Sequence, residues 1–209
     1  MLNKFFQNTC KPVGSSGKLM VRMMNKGHSA LADWGLSHLP MEELPSAAKT
    51  LDIGCGGGAN LSQLLTRFGS GTATGIDYSP LCVQESTKMN QDAVDSGRCR
   101  ILQGDASRLP FSNGSFHVAT AFETVYFWPD LDASFRQIYQ MLQTGGAFLI
   151  CNEESDPTND RWTKIIGGMT IYSIGDLKKR MENAGFTNIL TDFEPKKHWC
   201  CLVARKLAC

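Results

Sequence analysis

The apolar residues of this chain fall into two alternating kinds of pattern. Short apolar runs at 49–53, 72–76, 100–103, 116–121 and 147–152 predict strands, and the last, continuous run suits a central strand covered on both faces. Between them, helical spacing of apolar positions predicts helices over 59–68, 80–96 and 131–142, where Leu131, Phe135, Ile138 and Leu142 share one stripe. Gly69, Gly97 and Gly145 stop these helices, and Ser79-Pro80 starts the second. Downstream, 156–170 is irregular and contains Gly167-Gly168, the signature of a mobile flap. Ser173 then caps a helix that ends at Gly185, and 186–193 with 199–206 read as two strands joined by a short turn. Upstream, Leu19, Met20, Met23, Met24, Leu31 and Trp34 predict one helix over 18–39, broken near Gly27. Pro12, Gly14 and Gly17 forbid a long helix before Lys18, and Pro40 and Pro45 mark a linker.

Composition narrows the picture. A chain of 209 residues with 42% hydrophobic content can bury one full core, so one compact unit is expected. The formal net charge of +1 supplies no general attraction to phosphate backbones or anionic membranes, which argues against a nucleic-acid partner. None of the eight cysteines forms a C-x-x-C pair or stands with His at zinc-finger spacing, so no metal site is expected. Residues 1–10 carry no apolar leader core and no apolar run is long enough to span a bilayer; with most cysteines in apolar runs, a reduced, cytoplasmic protein is expected.

Candidate chemistry concentrates at 50–64, TLDIGCGGGANLSQL, which reads as a strand, a tight turn and a helix. Gly54, Gly56, Gly57 and Gly58 give a turn that takes positive φ cheaply and lets a ligand lie against bare backbone, with free N–H groups and a helix N-terminus pointing at it. Gly54, Gly56 and Ala59 also satisfy the dinucleotide fingerprint, with Asp77 at the expected distance. Asp52 pulls the other way, because a carboxylate there repels a pyrophosphate and attracts a ligand amino group. That favours a zwitterionic nucleoside without phosphates. Asp77, at the carboxyl end of the second strand, is placed either to bind both ribose hydroxyls or to cap the next helix.

The ordered set LDIGCGGG at 51–58, GIDYS at 75–79, GDASRLPF at 104–111, AFETVYFW at 121–128 and LQTGGAFLI at 142–150 resembles the class I S-adenosylmethionine-dependent methyltransferases. Within them it looks most like the small-molecule branch related to ubiquinone and menaquinone C-methyltransferases. The resemblance implies an α/β, Rossmann-like, seven-stranded sheet, mostly parallel, with one antiparallel strand in a C-terminal hairpin and helices on both faces. It divides the chain into an N-terminal helical lid, 1–44, and a cofactor-binding methyltransferase domain, 45–209. The cofactor it implies is S-adenosyl-L-methionine, released as S-adenosyl-L-homocysteine, held by Asp52, Gly54, Cys55, Gly56, Asp77, Tyr78, Asp105, Ala106 and Phe122. Asp105 and Ala106 match the family's adenine-binding pair, whereas His117 stands where members often carry Asp.

The methyl acceptor is expected to be a small molecule. Glu123, Tyr126, Phe127 and Trp128 follow the fourth strand, where open α/β sheets carry their chemistry; the aromatic residues either wall an acceptor pocket or pack under a loop. Met24 and His28 lie on the apolar stripe of the lid helix, as packing or as acceptor contacts, and Trp34 shares that placement. If the nucleophile needs deprotonation, His28 and Glu123 are the candidate catalytic bases. Asn152, Glu153 and Glu154 end the fifth strand, as solvated loop groups or as a site for a cationic substrate. Two other readings stay open: an NAD(P)-dependent oxidoreductase, and a protein that binds S-adenosylmethionine without catalysis.

Overall fold

The computed structural model describes residues 10 and 12–208, so the reading of the first nine residues as leader-free lies outside it. Seven strands form one sheet in the order β3-β2-β1-β4-β5-β7-β6. They are β1 Lys49–Ile53, β2 Thr72–Asp77, β3 Cys99–Gln103, β4 Phe116–Phe122, β5 Leu142–Asn152, β6 Thr187–Glu194 and β7 Trp199–Lys206. All neighbours pair parallel except β7, which runs antiparallel to both β5 and β6. The expected sheet, with its single reversed strand in a C-terminal hairpin, is the sheet observed. The order reverses between β1 and β4, which opens a crevice at the carboxyl ends of those strands.

Alternation along the central strands builds two cores. On β5 and β7, Phe148, Ile150, Leu202 and Ala204 face one side, against α6 (Leu131–Met141) and α7 (Ile174–Asn183). Ala147, Leu149, Cys151, Cys201 and Val203 face the other, against α2 (Ser29–Leu36) and α3 (Ala59–Arg67). Both sides of these strands are therefore dry, which is why their sequence reads as continuously apolar.

Four boundaries differ from the sequence reading. The first helix, α1, spans Gly14–Gly27 and begins four residues before Lys18, because the missing Cβ of Gly17 lets it pack onto Pro12 and Leu81, where a side chain would come within 2.9 and 3.0 Å. Tertiary contact overrides the weak helix propensity of the Gly-Ser-Ser-Gly segment. Residues 18–36 lie in α1 and α2, broken at His28 beside Gly27 as expected, but the second helix stops at Leu36, short of the expected residue 39. The helix expected over 80–96 is two, α4 (Pro80–Met89) and α5 (Gln91–Asp95). Asn90 splits them, since its amide donates to the carbonyls of Gly58 and Ser86 at 3.0 Å each and its carbonyl accepts from the Ser62 hydroxyl. Finally, β5 starts at Leu142, and Gly145, at φ 82°, sits at the register shift that separates the Phe116–Leu142 pair from Val118–Ala147.

The seam between α2 and the sheet is tight at Gly35. A Cβ there would lie 2.8 Å from Cys151 Sγ and 3.2 Å from the Phe122 ring. Gly35→Ala is expected to lower the unfolding free energy in urea by about 1–3 kcal/mol through overpacking; an unchanged midpoint would show that α2 is not seated on β5 as described.

Candidate active site

At the end of β1 the chain turns through Gly54, Gly56 and Gly58 at φ 76°, 51° and 84°, values that a side chain would strain. The donors of this turn are not free, contrary to the sequence expectation. Gly54 and Cys55 donate to Ile76 O at 2.8 and 3.1 Å, Gly56 donates to the Asp77 carboxylate at 2.9 Å, and Gly58 donates to Cys55 O at 2.9 Å. The turn is thus closed on itself and on the tip of β2. A pyrophosphate, which needs such donors for its own oxygens, finds most of them taken.

Asp77 is nearly buried, and its second oxygen accepts from Ser79 N at 2.9 Å. Ser79, not Asp77, caps α4, with its hydroxyl accepting from Cys82 N. Burial raises the Asp77 pKa, with the two N–H donors opposing it. Each Asp77 oxygen keeps a second lone pair. Asp52, by contrast, is fully buried and does not line the cavity. Its Oδ1 accepts from the Thr120 hydroxyl at 2.7 Å, Oδ2 has no partner, and burial pushes its pKa up to about 7. Asp52 therefore stands behind the turn and not on the cavity wall.

In front of the turn lies a cavity of about 560 Å³ over the carboxyl ends of the strands. Gly54, Cys55, Gly56, Asp77, Tyr78, Asp105, Ala106 and Phe122 all line it, as do Met24, His28, Glu123, Tyr126 and Trp128. Asp105 Oδ1 accepts from Ser107 N at 2.7 Å, fixing the loop after β3. Trp34 does not reach the cavity; it packs on Trp199 at 5.9 Å between ring centres. His117 accepts from Lys49 N at 2.9 Å and steadies the start of β1, far from the chemistry.

The β4–β5 end of the cavity carries a charged cluster. Glu123 ends β4 at φ 57°, a left-handed conformation that costs a non-glycine residue and turns the chain out of the strand. Its Oε1 accepts from the Tyr126 hydroxyl at 3.1 Å and, very closely, from Glu153 N. Burial, then the neighbouring Glu153, pushes the Glu123 pKa up to about 8. His28 joins α1 to α2 and faces Glu153, Nε2 to Oε2 at 3.9 Å; burial lowers its pKa, and Glu153 only partly offsets that. Ligand atoms of His28, Glu123 and Glu153 all lie within 4.8 Å of one another.

Sequence reasoning missed several residues at the site. Asn25 donates to Gly57 O at 3.2 Å and lines the cavity beside Met20 and Met23; its place on the lid helix, one residue after Met24, was the available signal. Asn60, Trp162, Ile166 and Met169 also line it. The last three come from the 156–170 segment, where no periodic pattern marks orientation. That segment is tied to the site by Thr170 N donating to Tyr126 O at 2.9 Å.

A family model described as methyltransferase domain matches residues 51–150. The cycloartenol-C-24-methyltransferase of Arabidopsis thaliana is 29% identical over 127 residues, 59% of this chain and 38% of that protein. The demethylmenaquinone methyltransferase of Roseiflexus sp. (strain RS-1) is 29% identical over 125 residues, 60% of this chain and 50% of that protein. The aligned stretch thus spans half or less of each relative's length. Geranyl diphosphate C-methyltransferase from Streptomyces coelicolor A3(2), solved with Mg2+, geranyl-S-thiolodiphosphate and S-adenosyl-L-homocysteine, superposes with a TM-score of 0.75 at 14% identity, covering 86% of this chain and 76% of that one.

The raised Glu123 pKa makes stability depend on pH. A carboxyl that holds its proton to about pH 8 when folded, and to about 4.5 when unfolded, destabilises the fold progressively as pH rises between those values. Glu123→Gln, which keeps the acceptor oxygen, is expected to flatten the loss of unfolding free energy between pH 5 and 8.5 by about 2 kcal/mol. Urea titrations with parallel pH slopes for the two proteins would contradict the burial of an acid at this position.

Proposed function

We propose that the chain is a class I S-adenosylmethionine-dependent methyltransferase and transfers the methyl group of S-adenosylmethionine to a small-molecule acceptor bound in the same cavity. The observation that carries this reading is the closed glycine turn: with its donors held by Ile76 O, Asp77 and Cys55 O, it suits a phosphate-free ligand lying against backbone better than a pyrophosphate seeking N–H groups. In this reading Gly54, Cys55 and Gly56 lie against the amino-acid part of the cofactor, Asp77 accepts from the ribose hydroxyls through its remaining lone pairs, and Asp105 with the Ala106 N–H meets the adenine. Tyr78 and Phe122 flank it, and Asp52 acts from behind as buried support. S-adenosylhomocysteine in the related Streptomyces fold supports the same cofactor here.

Methyl transfer is an in-line displacement. The acceptor's lone pair forms a bond to the methyl carbon as the carbon–sulfur bond breaks, and its electrons neutralise the sulfonium. The work left to the protein is alignment and the exclusion of water. The segment of residues 1–44 acts as a lid in this account, with Met24 and His28 from it, and Tyr126 and Trp128 from after β4, facing the acceptor. His28 and, once ionised, Glu123 are the groups able to take a proton. The net charge of +1 supports a small-molecule acceptor rather than nucleic acid, and seven unbridged cysteines among the described residues fit a reducing, cytoplasmic setting. No helix among the described residues is long and apolar enough to cross a membrane.

Two experiments separate the ends of the site. Asp77→Ala should weaken S-adenosylhomocysteine binding at least tenfold in calorimetry, the loss of roughly one charge-assisted hydrogen bond; an unaltered dissociation constant would remove its ribose role. His28→Ala and Glu123→Gln should leave that affinity within about twofold while lowering turnover tenfold or more. Unchanged turnover in both would dismiss them as bases.

A further inference from the structure

The cavity is chemically two-sided, and its acceptor side has an unmet charge preference. The cofactor, as assigned above, occupies the β1–β3 side, over the glycine turn, Asp77 and Asp105. Across from it, over β4 and β5, stand Glu123, Glu153 and His28, walled by Tyr126, Phe127, Trp128 and Trp162. Among the described residues that line the cavity there are five acidic side chains, Asp77, Asp105, Glu123, Glu153 and Glu154, and neither a lysine nor an arginine. Glu154 is already spent on its own loop, accepting from Ser155 N, Asp156 N and the Asn159 amide. Glu153 is not; it faces His28 at 3.9 Å, and its side chain is 41% exposed. Arg161, the nearest cation in sequence, stacks on Trp162 at 5.0 Å and does not line the cavity.

We propose that the methyl acceptor is an apolar amine, held as its ammonium between Glu153 and Glu123 and against the aromatic wall. The inference rests on the cofactor reading above. Carboxylate, phosphate and diphosphate acceptors are disfavoured by like charge, whereas an ammonium gains both the Glu153 carboxylate and the faces of aromatic rings. A bare divalent metal fits less well: His28 Nε2 and Glu153 Oε2 are 3.9 Å apart, wider than the ~3.4 Å edge of a tetrahedron with ~2.1 Å bonds. The reaction balances without further reactants. The ammonium passes its proton to His28 Nε2, the freed nitrogen lone pair attacks the methyl carbon, the carbon–sulfur electron pair stays on sulfur, and the proton leaves from partly exposed His28 to solvent. The products are S-adenosylhomocysteine and the methylated ammonium.

The test titrates S-adenosylhomocysteine into the full chain first, then adds three aromatic probes to the loaded protein: phenyltrimethylammonium, its neutral isostere tert-butylbenzene, and the anion benzoate. The cation should bind about tenfold or more tighter than either of the others. Glu153→Gln, on an exposed loop, should remove most of that preference while S-adenosylhomocysteine affinity stays within about twofold, and His28→Gln should leave the cation bound. Equal or tighter binding of benzoate or tert-butylbenzene, or displacement of the cation by Zn2+ or Mg2+, overturns the amine assignment and leaves the cofactor reading standing. Failure of S-adenosylhomocysteine to bind at all overturns the cofactor reading, and the amine assignment falls with it.

Discussion

The Gly56 N–H donating to the Asp77 carboxylate at 2.9 Å is the contact on which the site depends. It joins the turn after β1 to the tip of the neighbouring β2, beside the step where the sheet order reverses, and so sets the floor of the cavity. Three residues of that turn occupy the left-handed region, which only glycine does without strain. Because Ile76 O takes the two preceding N–H groups, the turn cannot swing outward without breaking three hydrogen bonds at once. Asn90 and Asn25 brace it from outside, bonded to Gly58 O and Gly57 O. A rigid floor of this kind costs nothing to reorganise when a ligand arrives.

The opposite end is built on different terms. Glu123 holds a left-handed backbone, accepts two hydrogen bonds and carries a pKa near 8, a combination that costs stability and is maintained by the packed β4–β5 pair beneath it. Strain and a displaced pKa at the carboxyl edge of a central strand are what a chemical site looks like physically. In the proposed reading, the contrast between a hydrogen-bonded floor and a strained, acidic wall divides the cavity into a part that holds and a part that reacts.

Much of this was legible in the sequence because it depended on local pattern. The strands showed as apolar runs and most helices by their spacing, and the Asp at the end of β2 followed from position; the reversed strand of the C-terminal hairpin came from the family resemblance. Other features depended on the three-dimensional path. Asn90 reads as one more residue of a helix until its amide is seen to reach Gly58, 32 positions away. Likewise, nothing local distinguishes a turn whose N–H groups are free from one whose N–H groups are taken, and Asp52 looks ligand-facing until alternation along β1 turns it inward to Thr120. His28 and Glu153 lie far apart in the chain, and no spacing rule joins them. Trp34 shares the lid's apolar stripe, and of its two readings, packing or an acceptor contact, the structure has the first: it packs on Trp199 and does not line the cavity.

The central claim is that one cavity holds an adenosine sulfonium over the glycine floor with its reactive carbon toward Glu123 and His28. A crystal structure of the protein with S-adenosylhomocysteine tests it most directly. The account predicts ribose hydroxyls on Asp77, adenine beside Asp105, and the thioether sulfur facing the Glu123–His28 side. Ligand density elsewhere, or a dinucleotide with its pyrophosphate lodged over Gly54–Gly58, would contradict it.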